Sequence, residues 1–178
     1  LAPSVKLRPS KGSHLVIRSA VLGEPRSAVV VPVPHASARW VGATPGGDGV
    51  VIVGVTDEGY SGALSDDPEV TAAEEQFLLD VLNTSLESPL TSHHVVGRYA
   101  GFRPLLAGES DRNTADLSRQ HAIVRDSQTG VISVVGGKLT TYRRMAEQTV
   151  DLLLGDDRRP CRTRRLPIVG AAPAELLR

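Results

Sequence analysis

The stretch VISVVGGKLTTYRRMAEQTV, residues 131–150, restricts the fold more than any other. Val131, Ile132, Val134 and Val135 favour a strand, and Gly136 and Gly137 end it. Tyr142, Met145, Ala146, Thr149 and Leu153 then recur at helical spacing, predicting a helix to about Leu154. Such a junction brings bare main chain and the positive end of a helix dipole to one place. Lys138 adds a charge, and Thr140 and Thr141 add hydroxyls, so the turn suits an anion or a ring that becomes anionic. A tight structural turn with a solvated lysine and a threonine cap uses the same residues equally well. The spacing of its glycines is not that of a phosphate-binding P-loop.

The rest of the chain supplies several strands and one more helix. Residues 14–18 and 28–34 read as short strands around a Gly-Glu-Pro turn, and TPGGDG at 44–49 is a loop before the apolar strand VVIVGVTD. Asp67, Pro68 and Glu69 look like a helix start, with Val70, Ala73, Phe77, Leu78, Val81 and Leu82 forming its apolar stripe to about Leu86. RYAGFRPLL reads as a strand turning at Pro104, and SQTG as the turn of a hairpin between HAIVRD and VISVVGG. The order is mixed α+β with an α/β part rather than a repeated βαβ series, and no GxGxxG follows a strand.

Phe, Trp and Tyr make up only 3% of the 178 residues, so the core must be mainly Val, Leu, Ile and Ala. Twenty basic residues balance twenty acidic ones, which gives nucleic-acid binding no electrostatic support. The single cysteine, Cys161, suits a reducing, cytoplasmic compartment. The adjacent His93 and His94 do not have metal-ligand spacing. Neither end carries a start or stop signal, and both read as cut from a longer chain.

Four further places could carry chemistry. His14, in RPSKGSHLVI, stands at an expected strand entrance as a candidate acid or base. Thr56 and Asp57, in GVTDEGYSG, end a strand where functional loops begin. Arg103, expected in a turn between Gly101 and Pro104, is a candidate clamp for phosphate or carboxylate. Arg119 enters the hairpin that leads to the glycines. Each also has an ordinary structural reading as a surface or turn residue.

Taken in order, RPSKGSHLVI, GVTDEGYSG, AGFRPLL, SRQHAI and GVISVVGGKLTTYRRMAEQTVD resemble the FAD-dependent, quinone-linked glycerol-3-phosphate dehydrogenases of the D-amino-acid-oxidase-like class. The resemblance covers almost the whole chain, with GVTD standing where the family usually has GTTD, so that Val55 replaces a threonine. It implies an antiparallel substrate-binding sheet and helix over 1–100, the C-terminal part of a Rossmann-like FAD domain over 101–155, and a linker into a further domain over 156–178. The FAD-binding GxGxxG unit is not among these residues.

The resemblance also implies oxidation of sn-glycerol 3-phosphate, with electrons passing through FAD to quinone. Gly136, Gly137, Lys138, Leu139 and Thr140 match the segment that lies against the flavin. Arg103, Arg119, Lys138, Thr56 and Asp57 match active-site and substrate-facing positions, and His14 matches a histidine of the same pocket and is the candidate base. Peripheral contact with the inner face of the cell membrane and a homodimer are implied for the full-length protein. A non-catalytic truncated fragment or anion-binding module, and a related FAD-dependent amine or hydroxy-acid oxidase, are the alternatives.

Overall fold

The computed structural model describes residues 5–36, 38–107 and 121–171. Two compact units share the chain: Leu7–Ser118, and Arg119–Arg178 together with Leu1–Lys6. β6 of the first unit runs through residue 100, where the expected domains divide, and the chain passes to the second unit between Ser118 and Arg119.

The first unit is an antiparallel sheet of six strands covered on one face by a helix. The strands are β1 (Leu7–Arg18), β2 (Val29–Pro32), β3 (Trp40–Pro45), β4 (Val50–Gly54), β5 (Glu58–Gly59) and β6 (Val95–Leu106). β1 is the axis: β6 pairs with one edge from Leu7 to Ile17, while β4 and then β5 pair with the other, and β3 and β2 continue outward from β4. Because side chains alternate between faces, β1 sorts its residues into two sets. Leu15 and Ile17 point into the core, opposite Val53 and Val51 of β4; Ser10, Gly12, His14 and Val16 belong to the other face.

Helix α1 (Ala72–Asn83) closes the apolar face with Leu78, Leu79, Val81 and Leu82, all buried against Leu15, Ile17, Val31, Val41, Val51 and Val53. It starts four residues later than Asp67–Pro68 suggests. Its cap is Thr71, whose hydroxyl accepts from the Glu74 N–H while the Glu74 carboxylate accepts from the Thr71 N–H, a reciprocal capping box. The stripe also differs from expectation: Ala73 is exposed, and Leu79 and Glu75 are buried.

Two ion pairs tie α1 to the sheet. Lys11 Nζ donates to Glu74 Oε2 at 2.8 Å, and the Arg98 guanidinium holds the Glu75 carboxylate from β6. Burial pushes the Glu74 carboxyl up, but hydrogen bonds from Lys11, Thr71 and Ser13 outweigh it and hold it below the ordinary glutamate range. At Glu75 the bond from Arg98 dominates, burial opposes it, and the net direction is again down.

β6 does not turn at Pro104. Pro104 lies directly opposite Pro9, and Pro9 turns its carbonyl to the Tyr60 N–H on the other edge of β1, so the two prolines are a pair that exchanges no ladder bonds. The missing N–H groups therefore remove no bond between β1 and β6, and Arg103 is a strand residue.

In the second unit, β7 (His121–Arg125) and β8 (Ile132–Gly136) form the expected hairpin, with Asp126 accepting from the N–H groups of Gln128 and Thr129 in the turn. A short 3-10 turn, Leu139–Thr141, leads into α2 (Tyr142–Leu154).

Thr71→Ala removes the cap of α1 and is expected to lower unfolding stability by about 1 kcal/mol, measurable by chemical denaturation. Glu74 and Glu75 titrate lower in the folded state than in the unfolded one, so their contribution is full above the ordinary glutamate range and fades as pH falls through the lowered values. Glu75→Gln is therefore expected to flatten the acid limb of the stability profile.

Candidate active site

The open face of the first unit gathers four of the predicted residues. In register across the sheet, Gly54 of β4, His14 of β1 and Tyr99 of β6 form one row; Gly12 and Gly101 form the next on β1 and β6; Ser10 and Arg103 form the third. His14 is thus in the middle of a long strand rather than at a strand entrance, because β1 begins at Leu7. Its imidazole stacks on the Tyr99 ring, with centroids 4.7 Å apart and planes within 7°.

Two of the glycines in these rows are there for close approach. A Cβ on Gly54 would fall 2.3 Å from His14 Cδ2, and one on Gly12 would fall 2.3 Å from Arg103 Nη2. The imidazole lies over one bare backbone position and the guanidinium over the other. A Cβ at Gly101 would meet nothing within 4 Å, so the floor beside them is open.

Arg103 is oriented by what surrounds it. Its Nη1 donates to Ser10 Oγ at 3.1 Å and to Asp57 Oδ1 at 3.4 Å, and its Nη2 donates to the Thr56 carbonyl at 3.3 Å. Ser10 in turn donates to Asp57. Thr56 is only 3% exposed, and its hydroxyl accepts from the Ser13 N–H at 2.9 Å, pinning the segment after β4 to β1. Thr56 and Asp57 therefore hold Arg103 in place.

Burial lowers the pKa of His14, and the nearby charge of Arg103 lowers it further, so the imidazole is neutral at pH 7. Its Nδ1 is buried and has no hydrogen-bond partner among the described residues, which leaves Nε2 as the nitrogen able to take a proton from a ligand.

The second unit carries the glycine pair. Gly136 and Gly137 have φ of +73° and +84°, in the left-handed region that glycine tolerates. Gly137 is also needed for packing: a Cβ there would lie 2.5 Å from Met145 Sδ and 3.2 Å from His121 Cβ. The side of Gly137 that a Cβ would occupy is filled by Met145 of α2 and by His121. Lys138, Leu139 and Thr140 are exposed, Leu139 by 89%. Thr141 rather than Thr140 makes the turn, its hydroxyl accepting from the Lys138 N–H and donating to the Lys138 carbonyl. Arg119 lies outside the described residues.

Tyr99, Ser10, Gly12 and Gly54 were not singled out from sequence. Their signal is period two: Ser10, Gly12 and His14 alternate on one strand, and Tyr99, Gly101 and Arg103 alternate on the next.

The chain belongs to the FAD dependent oxidoreductase family, whose model matches residues 1–143. Within that class it is similar to glycerol-3-phosphate dehydrogenase 1 of Mycobacterium tuberculosis (strain ATCC 25618 / H37Rv), 45% identical over 176 residues, covering 95% of this chain and 34% of the relative. It is also similar to the aerobic glycerol-3-phosphate dehydrogenase of Bacillus subtilis (strain 168), 34% identical over 92% of this chain and 30% of the relative. The structure of the Bacillus halodurans glycerol-3-phosphate dehydrogenase complexed with FAD superposes with a TM-score of 0.69 at 32% identity, over 83% of this chain and 27% of that one. The chain thus spans about a third of the length of the curated relatives it matches.

Gly54→Ala and Gly12→Ala are expected to displace His14 and Arg103 respectively. Each should lower kcat/KM of the intact protein on the order of 10²-fold, as a shift of about 1 Å at a reacting group does, while far-ultraviolet circular dichroism stays unchanged.

Proposed function

We propose that the intact protein oxidises sn-glycerol 3-phosphate to dihydroxyacetone phosphate with FAD as cofactor. The observation that carries this reading is the placement of a neutral His14 and a braced Arg103 on one sheet face, flanking the Gly12–Gly101 pair. A phosphorylated secondary alcohol needs one cation for its phosphate and one base for its hydroxyl proton.

Arg103 is the phosphate-binding group, a planar guanidinium whose orientation Ser10, Thr56 and Asp57 set before substrate arrives. His14 Nε2 takes the C2 hydroxyl proton; its lowered pKa keeps it in the base form at pH 7. Thr56 and Asp57 act through Arg103 as positioning residues. Arg119 is assigned a second cationic role on the family motif alone.

The residues present fit FAD: two consecutive left-handed glycines followed by Lys138, Leu139 and Thr140, a turn whose large apolar side chain, Leu139, is 89% exposed. Gly136 to Thr140 would hold the isoalloxazine, with Lys138 offsetting negative charge. When bound, FAD supplies the acceptor for the hydride that leaves C2. The sheet unit is the substrate-binding part and the hairpin–helix unit belongs to the FAD-binding part.

Quinone as the onward acceptor, a cytoplasmic location with peripheral contact at the inner face of the membrane, and a homodimer belong to the same proposal and rest on the family resemblance. No described helix is long and apolar enough to cross a membrane.

Steady-state kinetics of the intact protein test the reading. Arg103→Ala is expected to raise KM for sn-glycerol 3-phosphate, Lys138→Ala to lower turnover, and His14→Gln to lower kcat by about 10²- to 10⁴-fold. Activity should fall as pH drops through the His14 pKa, placing the acid limb below the ordinary histidine value of about 6.5. Ordinary kinetics in all three variants would contradict it.

A further inference from the structure

A catalytic histidine is usually oriented by a hydrogen bond from Nδ1 to a carboxylate or a carbonyl, which fixes both the tautomer and the ring plane. His14 has no such partner among the described residues, although its Nδ1 is buried. Without one, rotation about the bond to the ring would swing Nε2 out of line with a ligand and leave a ring carbon in its place. Something else must hold the plane.

The two neighbours of His14 in its own row are the candidates. On one side Gly54 removes the side chain that would occupy the ring's place; on the other, Tyr99 lies face to face with the imidazole at 4.7 Å. Offset stacking at that separation is within the range where aromatic pairs attract beyond simple burial. A ring turned out of this plane would lose the Tyr99 face or crowd the β4 backbone at Gly54. Tyr99 is 46% exposed on a strand that, among the described residues, pairs only with β1, so its bulk is not part of the core.

We propose that Tyr99 is the positioning residue for His14, holding through its ring face the ring plane that a hydrogen-bond acceptor at Nδ1 usually fixes. The inference rests on the reading of His14 as the base and adds the group that aims it. The stack also keeps water from one face of the imidazole. The other ionisable groups on the flanking strands are Arg103 on β6, Asp57, which follows β4 and is paired to Arg103, and Arg98 on β6, which is paired with Glu75 of α1; β4 itself offers only Gly54 beside the ring.

The test is made on the intact protein with FAD, comparing Tyr99→Phe, Tyr99→Leu and His14→Gln. Tyr99→Phe keeps the ring face and is expected to retain kcat and the pH profile. Tyr99→Leu keeps apolar bulk without a ring. It should lower kcat by about 10- to 100-fold with KM for sn-glycerol 3-phosphate little changed, and should move the acid limb of kcat/KM to higher pH as water reaches the imidazole. An NMR titration of the His14 ring in the three tyrosine-position forms reads the same shift without turnover.

Tyr99→Leu with an unchanged kcat and unchanged acid limb, alongside a crippled His14→Gln, would overturn the inference alone. Tyr99→Phe as impaired as Tyr99→Leu would overturn it too, assigning the effect to the hydroxyl. A fully active His14→Gln would overturn the base assignment beneath it.

Discussion

The alternation of β1 decides what each side of the first unit can be. One strand, paired along both edges, sends Leu15 and Ile17 into a core closed by α1, and sends Ser10, Gly12 and His14 to the opposite face. Neither set could be moved by one residue without placing a histidine in the core or a leucine on the reactive surface. The apolar packing therefore does more than stabilise the sheet. It sets the register in which His14 meets Tyr99 and Gly54, and in which Ser10 meets Arg103.

Charge is divided between the same two faces. Behind the site, Lys11 and Glu74 pair where β1 meets the start of α1, and Arg98 and Glu75 repeat the arrangement from β6. In front, Arg103 is satisfied by a hydroxyl, a carbonyl and a carboxylate, so its guanidinium is held flat over Gly12 instead of reaching into water. The proximity of that cation and the burial of the ring keep His14 neutral. The core and the proposed site thus draw on one strand but on different side chains.

Much of this was legible in the sequence. Hairpin β7–β8 and helix α2 followed from SQTG and from the spacing of Tyr142, Met145 and Thr149, because both signals are local. Helix α1 was visible, but its start was placed at Asp67–Pro68 although T-A-A-E at 71–74 spells a capping box; two competing start signals lay within one turn of each other. Pro104 read as a turn because a proline inside a strand is costly unless its N–H faces away from the ladder, and that depends on register with Pro9, which no local pattern reveals. His14 and Arg103 were found as single residues. Their meeting across β1 and β6 is a long-range pairing, and so the glycines that admit them and the tyrosine stacked on His14 were passed over.

The glycine pair at 136–137 shows the same limit from the other side. Local chemistry offered it as room for a ligand, yet Met145 occupies the position above Gly137, and the exposed part of the turn is Lys138 to Thr140. The proposed chemistry requires substrate on the glycine-floored face between His14 and Arg103. A crystal structure of the intact protein with sn-glycerol 3-phosphate tests it most directly. The account predicts the phosphate against the Arg103 guanidinium and the C2 hydroxyl at hydrogen-bonding distance, about 3 Å, from His14 Nε2. Substrate bound elsewhere, with His14 and Arg103 untouched, would contradict it.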